Sequence, residues 1–291
     1  MEGRFELPTI ELTSDANTRL LLEGMRSAHS GSRRGDGLIV GEGDLTFERL
    51  TLTSPTGDVQ ARGFSALARS QPNGEFIDVR VEYGLDRLQW KGSVYSGAIL
   101  AFSLSGIPAK GLAAMQRAVR ELPQEPGAAS PARPTLAAAL ATHMPSLFLH
   151  GPRAALDRFE MSTPEGKVEG NLWVGAKGLT REAMERPGAW IQHLNGGGEL
   201  SVPKVLLLDL IEQWRRQKML AALRQRDPEA ARLPAELEAE IATAASDQLK
   251  ALVRDGWAAE QGGRVETSIK LADALLTVNG KTFPVAGMGL P

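Results

Sequence analysis

The chain has 291 residues, 42% hydrophobic and 23% charged, the proportions of a globular protein that buries a core and not of a disordered or fibrous one. Lys plus Arg number 33 against 35 Asp plus Glu, a net charge of −2, so no global positive field gathers nucleic acid or anionic lipid. With 0 Cys, disulfides, thiol nucleophiles, iron–sulfur clusters and thiolate zinc sites are excluded.

The opening Met1-Glu-Gly-Arg-Phe-Glu-Leu-Pro8 has no basic stretch followed by an apolar one, so no secretory signal is expected there. The densest apolar run, 205–211, contains Asp209 and falls far short of the roughly 20 residues of a membrane span. Much of the first hundred residues reads as strands separated by turns. Leu45, Phe47, Leu50 and Leu52 lie near period 2 and stop at Ser54-Pro55-Thr56-Gly57, where proline pre-sets one turn dihedral and glycine accepts the positive one. Val59–Ala66 returns as the partner strand, followed by strands over Phe76–Tyr83 and Tyr95–Leu104. Pro108 then opens a helix to about Leu122, with Leu112, Met115 and Val119 on one face.

Residues 123–134 carry four prolines and no large apolar side chain, the composition of a linker. It divides the expected units, 1–122 and 135–291. Beyond it, Leu156-Asp-Arg-Phe159-Glu-Met161-Ser-Thr-Pro164-Glu-Gly166-Lys-Val168 matches 47–59 at an offset of 109 positions. Leu200-Ser-Val-Pro203 then opens a helix as Leu104-Ser-Gly-Ile-Pro108 does, at an offset of 95. Two landmarks in the same order predict a duplicated strand–helix module.

The second unit extends further. A helix over Pro203–Arg224 places Leu207, Leu210, Ile211, Trp214 and Ala221 on the face expected to dock on a sheet, with Asp209, Glu212, Arg215 and Arg216 opposite. Another runs from Pro234 to Arg254, with acids at its start, bases at its end and Gly256 as a left-handed stop. After a strand over Val265–Leu271, Asn279-Gly280 between alternating apolar residues predicts a hairpin spanning 275–283.

This closing block, Leu252-Val-Arg-Asp-Gly-Trp257, Ile269-Lys270 and Leu276-Thr-Val-Asn-Gly-Lys281, resembles the YdgA-like bacterial proteins, a domain family of unknown function. Met144-Pro-Ser-Leu147, the Thr163–Gly166 hairpin and Glu199–Pro203 agree with it, from about residue 40 onward. The resemblance implies a Gram-negative envelope protein with its body in the periplasm, anchored at the inner membrane by an N-terminal segment that this chain lacks. It supplies no catalytic residues.

Residue chemistry points the same way. His29, His143, His150 and His193 form no pair at helical spacing, so each reads as an isolated turn or surface histidine and no metal site is expected. Gly31-Ser32 and Gly92-Ser93 lack the second glycine of a nucleophile elbow and read as loops. The glycines of 35–43 lack the lysine of a phosphate cradle, and these and Gly196–Gly198 read as turns. Glu236 and Glu240 sit on a solvated helix face without a pocket to shift a pKa. The cluster Arg215, Arg216, Lys218, Arg224 and Arg226 reads as the wet side of a helix. Trp90, Trp173, Trp190, Trp214 and Trp257 read as core or sheet-covering residues. The expected fold is α+β: two related antiparallel meander sheets, each packed on amphipathic helices, in one elongated body. The expected function is a non-catalytic envelope protein without a cofactor, binding a lipid or other hydrophobic ligand in a groove between sheet and helix. A scaffold at the inner membrane that binds an envelope protein is the alternative, a hydrolase the last choice; no nucleic-acid partner is expected.

Overall fold

A computed structural model describes residues 1–14, 17–55, 57–120, 149–180, 182–183, 186, 188–225 and 233–285. The expected linker, 123–134, and His143 lie outside these. The strands are β1 (Glu2–Ser14), β2 (Thr18–Arg33), β3 (Ile39–Thr53), β4 (Val59–Asn73), β5 (Phe76–Trp90), β6 (Ser93–Pro108), β7 (Arg153–Thr163), β8 (Gly166–Ala176), β9 (Leu194–Pro203), β10 (Ala259–Gln261), β11 (Arg264–Ala272), β12 (Leu275–Val278) and β13 (Lys281–Pro284). The helices are α1 (Ala109–Arg120), α2 (Lys204–Arg224) and α3 (Ala235–Asp255), with a 3₁₀ turn at Ala189–His193.

All thirteen strands form one sheet in place of the expected two. Its order is β1 to β9 in sequence, then β11, β12 and β13, with β10 paired to β11. The join between the expected halves is itself a ladder, β6 to β7, with Leu100 opposite Phe159 and Leu104 opposite Ala154. Alternating apolar residues dictate which side chains share a face, but not where a sheet ends. The α+β class stands; its division into two sheets does not.

The duplication landmarks fare differently from one another. At Ser54–Gly57 the Ser54 hydroxyl donates to the Gly57 carbonyl at 2.8 Å, and at Thr163–Gly166 the Thr163 hydroxyl donates to the Gly166 carbonyl at 2.9 Å. Gly57 and Gly166 hold φ of 129° and 132°. The helix entries do not correspond. Three strands run from the first hairpin to Pro108 and two from the second to Pro203, so α1 and α2 leave from opposite ends of the sheet.

A crease crosses the first six strands. Pairing is interrupted on every ladder from β1 to β6 at the row that aligns Pro8, Gly24, Glu48, Gly63, Asp86 and Gly97, and between β2 and β3 the gap also takes in Met25 and Phe47. Gly24, Gly63 and Gly97 have φ of 66°, 63° and 57°, a region that L side chains enter at a cost of about 1–2 kcal/mol. At this row the apolar residues change parity: Phe5 and Leu7 give way to Ile10 and Leu12, Leu45 and Phe47 to Leu50 and Leu52, and Tyr83 and Leu85 to Leu88 and Trp90. The register is the same on both sides of the row, so each strand contributes one residue to it that lies unpaired opposite its neighbour's, and the apolar alternation resumes beyond it with the opposite parity.

Little covers the apolar face of the sheet. Among the described residues Phe5, Tyr83, Phe102, Leu104, Leu172 and Val174 on it are exposed. One core cluster lies where α1 brings Ala109 and Ala113 against Leu38, Val40 and Ile77, with Val79 and Leu112 beside them. Another lies where Leu249 of α3 meets Val265 and Ala258, with Leu207 and Leu208 of α2 packed on it. The predicted stripe of α2 docks only at its start, where Leu207 packs on the cluster that holds Val265 of β11; Leu210 and Trp214 face solvent. Its supposedly wet side meets α3, because Arg215 donates to Gln248 at 2.8 Å and Arg216 to Glu238 at 2.9 Å. Trp90, Trp190, Trp214 and Trp257 are exposed rather than core. Gly196–Gly198 lie in mid-strand in β9, not in a turn. A Cβ on Gly198 would sit 2.5 Å from the Asn171 carbonyl oxygen, so only glycine allows β8 so close. Gly31-Ser32 likewise lies in β2, and Gly41 and Gly43 in β3.

Candidate functional site

Residues opposite one another on an antiparallel ladder share a face, which makes the two faces of the sheet readable row by row. Next to the crease, Leu7, Met25, Phe47, Phe64, Leu85 and Ala98 line one row across β1–β6. Phe47 and Phe64 stack at 4.6 Å between centroids, and Tyr83 follows at 6.5 Å from Phe64. Beyond β6 the same face continues through Phe102, Leu156, Leu172, Gly198, Ile269 and Val278. The next row adds Leu104, Ala154, Val174, Gly196, Leu271 and Leu276. The polar interruptions named by these registers are small, such as Ser27 and Ser70, and His29 lies on this face opposite Gly3 and Gly43.

The other face is ionic. Cross-strand pairs include Glu23–Arg49 at 3.4 Å and Glu42–Arg69 at 3.0 Å, and along β7 Arg158 pairs with Glu160 at 2.8 Å. Lys167 joins Glu160 and Glu169 at 3.2 and 2.9 Å. The hydrogen bond from Arg158 holds the Glu160 carboxyl at about 2, well below its ordinary value, with Lys167 adding to the effect. Arg158, Glu160 and Glu169 line a shallow polar depression of about 560 Å³ together with Asn171, Glu199 and Glu266. Exposed pairs of this kind contribute about 0–1 kcal/mol each; their role here is to keep this side wet and fix which face is apolar.

The sequence-derived candidates do not converge. His29 is on the apolar face, His150 meets the edge of Phe76 at 5.9 Å, and the His193 Nδ1 lies 3.2 Å from the Lys177 carbonyl oxygen. Glu240 is exposed on α3. Among the described residues no group of three or more His, Asp or Glu is placed to hold a metal ion, and no helix is long and apolar enough to cross a membrane. Sequence reasoning missed the apolar face as a single surface. Its signal was the parity change around Glu48, which looks like an irregularity in one strand and becomes meaningful only when repeated in register on six.

A family model described as a bacterial protein of unknown function, DUF945, matches residues 1–286, nearly the whole chain. No curated protein and no solved structure matches it.

Proposed function

We propose that this chain, which belongs to the DUF945 family of bacterial proteins, is a non-catalytic envelope protein that holds the hydrocarbon chains of lipids against its apolar sheet face. The observation that carries this reading is a contiguous patch on β6, β8 and β9: Phe102, Leu104, Leu172, Val174 and Leu200 are each at least 40% exposed. Soluble monomers rarely leave apolar patches beyond a few hundred Å² uncovered unless something binds there. The 15-residue strands of the first six give that part a face roughly 50 Å by 25 Å, room for several acyl chains side by side. At about 0.8 kcal/mol per buried methylene, half-burying a sixteen-carbon chain contributes about 6 kcal/mol. The binding surface is thus an open sheet face and not the groove between sheet and helix that the sequence suggests. The compartment proposed is the periplasm, where lipid in transit between membranes needs an apolar surface.

The test is native mass spectrometry of the protein purified from its bacterial host, followed by titration with a fluorescent fatty acid. Bound lipid in the first, and saturable binding that Leu172→Glu and Leu200→Glu abolish without changing the circular dichroism, are the expected results. Lipid-free protein with no saturable binding overturns the reading. A second reading, an interaction module, is favoured by β1, which among the described residues has a partner strand on one side only.

A further inference from the structure

We infer that two copies of this chain pair edge to edge through the first half of β1, Glu2–Pro8, about a twofold axis at Phe5. The inference deepens the interaction reading and is independent of lipid binding. The opposite edge of the sheet is β13, only four residues long and ending in Pro284, whereas β1 is thirteen residues long and, among the described residues, has β2 alone beside it.

The backbone fixes which groups of β1 are free. The Met1 amino group donates to the Gly31 carbonyl at 2.8 Å, and the Gly31 N–H donates to the Met1 carbonyl at 2.9 Å. Met1 and Gly31 therefore form a hydrogen-bonded pair, and by the alternation of an antiparallel ladder Gly3, Phe5 and Leu7 also turn their backbone groups toward β2. Glu2, Arg4 and Glu6 turn theirs outward. Pro8 has no N–H to offer and ends the usable ladder.

Side chains then select the register. Side chains of paired strands must stay on their own faces, so only registers joining even to even positions are allowed. Centring on Arg4 sets Arg4 against Arg4 and Glu2 against Glu6; centring on Glu6 sets Glu6 against Glu6; centring on Gly3 pairs Glu2 with Arg4 but overlaps only Met1–Phe5 and leaves Glu6 without a partner. Centring on Phe5 sets Arg4 against Glu6 of the second copy, twice, with the outward backbone groups of both residues in hydrogen-bonded pairs. It also sets Phe5 against Phe5 in the close, non-hydrogen-bonded position. Phe5 is 51% exposed, and among the described residues Glu2, Arg4 and Glu6 have no ion-pair partner within the chain. An isologous contact of this sort uses up both long edges and closes at two copies. The result is a 26-stranded sheet with one apolar face running through it.

The absence of cysteine allows a direct test on the full chain. In the non-hydrogen-bonded pair Cβ atoms approach to about 4.5–5.5 Å, so Phe5→Cys should form a disulfide-linked dimer under mild oxidation at least tenfold faster than Thr13→Cys, which the register leaves without an opposite residue. Sedimentation velocity should show a dimer for the unmodified chain, a monomer for Arg4→Glu, and a dimer again for Arg4→Glu combined with Glu6→Arg. A monomeric unmodified chain at 100 µM, equal cross-linking of the two cysteine variants, or a dimer indifferent to Arg4→Glu overturns the inference. Lipid binding by a monomer leaves the fatty-acid reading intact while sinking this one.

Discussion

Replacing Gly63 by Ala strikes the crease at its centre. Gly63 holds φ of 63°, so an L side chain there costs about 1–2 kcal/mol in backbone conformation. Its new methyl would also overlap the Asp86 carboxylate, and moving that side chain off its rotamer costs about 0.5–1.5 kcal/mol. Together these predict a loss of about 1.5–3.5 kcal/mol. With a urea dependence of about 3 kcal/mol per molar, the unfolding midpoint falls by about 0.5–1.2 M. The matched control is Gly43→Ala, also in mid-strand, where φ is not positive and the nearest atoms are His29 Cβ at 3.6 Å and the Ala28 carbonyl oxygen at 3.7 Å; its stability should stay within about 0.5 kcal/mol. Adding Asp86→Ala to Gly63→Ala should recover only the part due to the carboxylate. The measurement is equilibrium urea unfolding followed by circular dichroism. If Gly63→Ala proves no more destabilising than Gly43→Ala, the crease does not depend on its glycines and the account of it is wrong.

Three further outcomes are expected. Asn279 holds φ of 47° while its side chain accepts from the Ser268 N–H at 2.8 Å and donates to the Gly256 carbonyl at 3.2 Å; Asn279→Ala should cost about 2–3 kcal/mol, and a loss under 1 kcal/mol in urea unfolding would contradict these roles. Gly198→Val places a side chain against the Asn171 carbonyl oxygen and Leu172 Cα, so hydrogen exchange should accelerate at the β8–β9 ladder while the β2–β3 ladder stays protected; unchanged exchange at β8–β9 would count against the close approach. The folded-state pKa of Glu160 is lowered from its ordinary 4.5 to about 2, so its stabilising contribution is complete above about pH 4.5 and is lost as pH falls through 2. Acid titration of Glu160→Gln should therefore fall less steeply than the unmodified chain over that window, and identical curves would remove the pairing with Arg158 from the account.

Elements that depend on local chemistry were legible in the sequence. Asn279-Gly280 makes the predicted turn with φ of 47° and 82°, and Gly256 stops α3 in the left-handed region at 84°, because in both cases the backbone demands a residue type. The Pro55 and Pro164 hairpins were legible for the same reason. What failed was everything set by a neighbour distant in sequence. Gly196–Gly198 reads as a turn in isolation, yet serves a flat, closely approached strand, since glycine answers to crowding as well as to positive φ. The stripe of Leu210 and Trp214 looks like a docking face because amphipathicity records an apolar surface without recording whether anything covers it. Arg215 and Arg216 read as wet until α3 brings Gln248 and Glu238 within reach. The apolar face was half visible, as alternation on each strand; its continuity required the registers.

Because each strand of this sheet pairs almost wholly with its successor in the chain, the protein is modular in a way that a two-layer fold is not. A new β-hairpin inserted between two existing strands needs only matching neighbours on either side, with no interior to be repacked. Such a body can be widened or trimmed two strands at a time over evolution, and its span is set by the number of hairpins encoded.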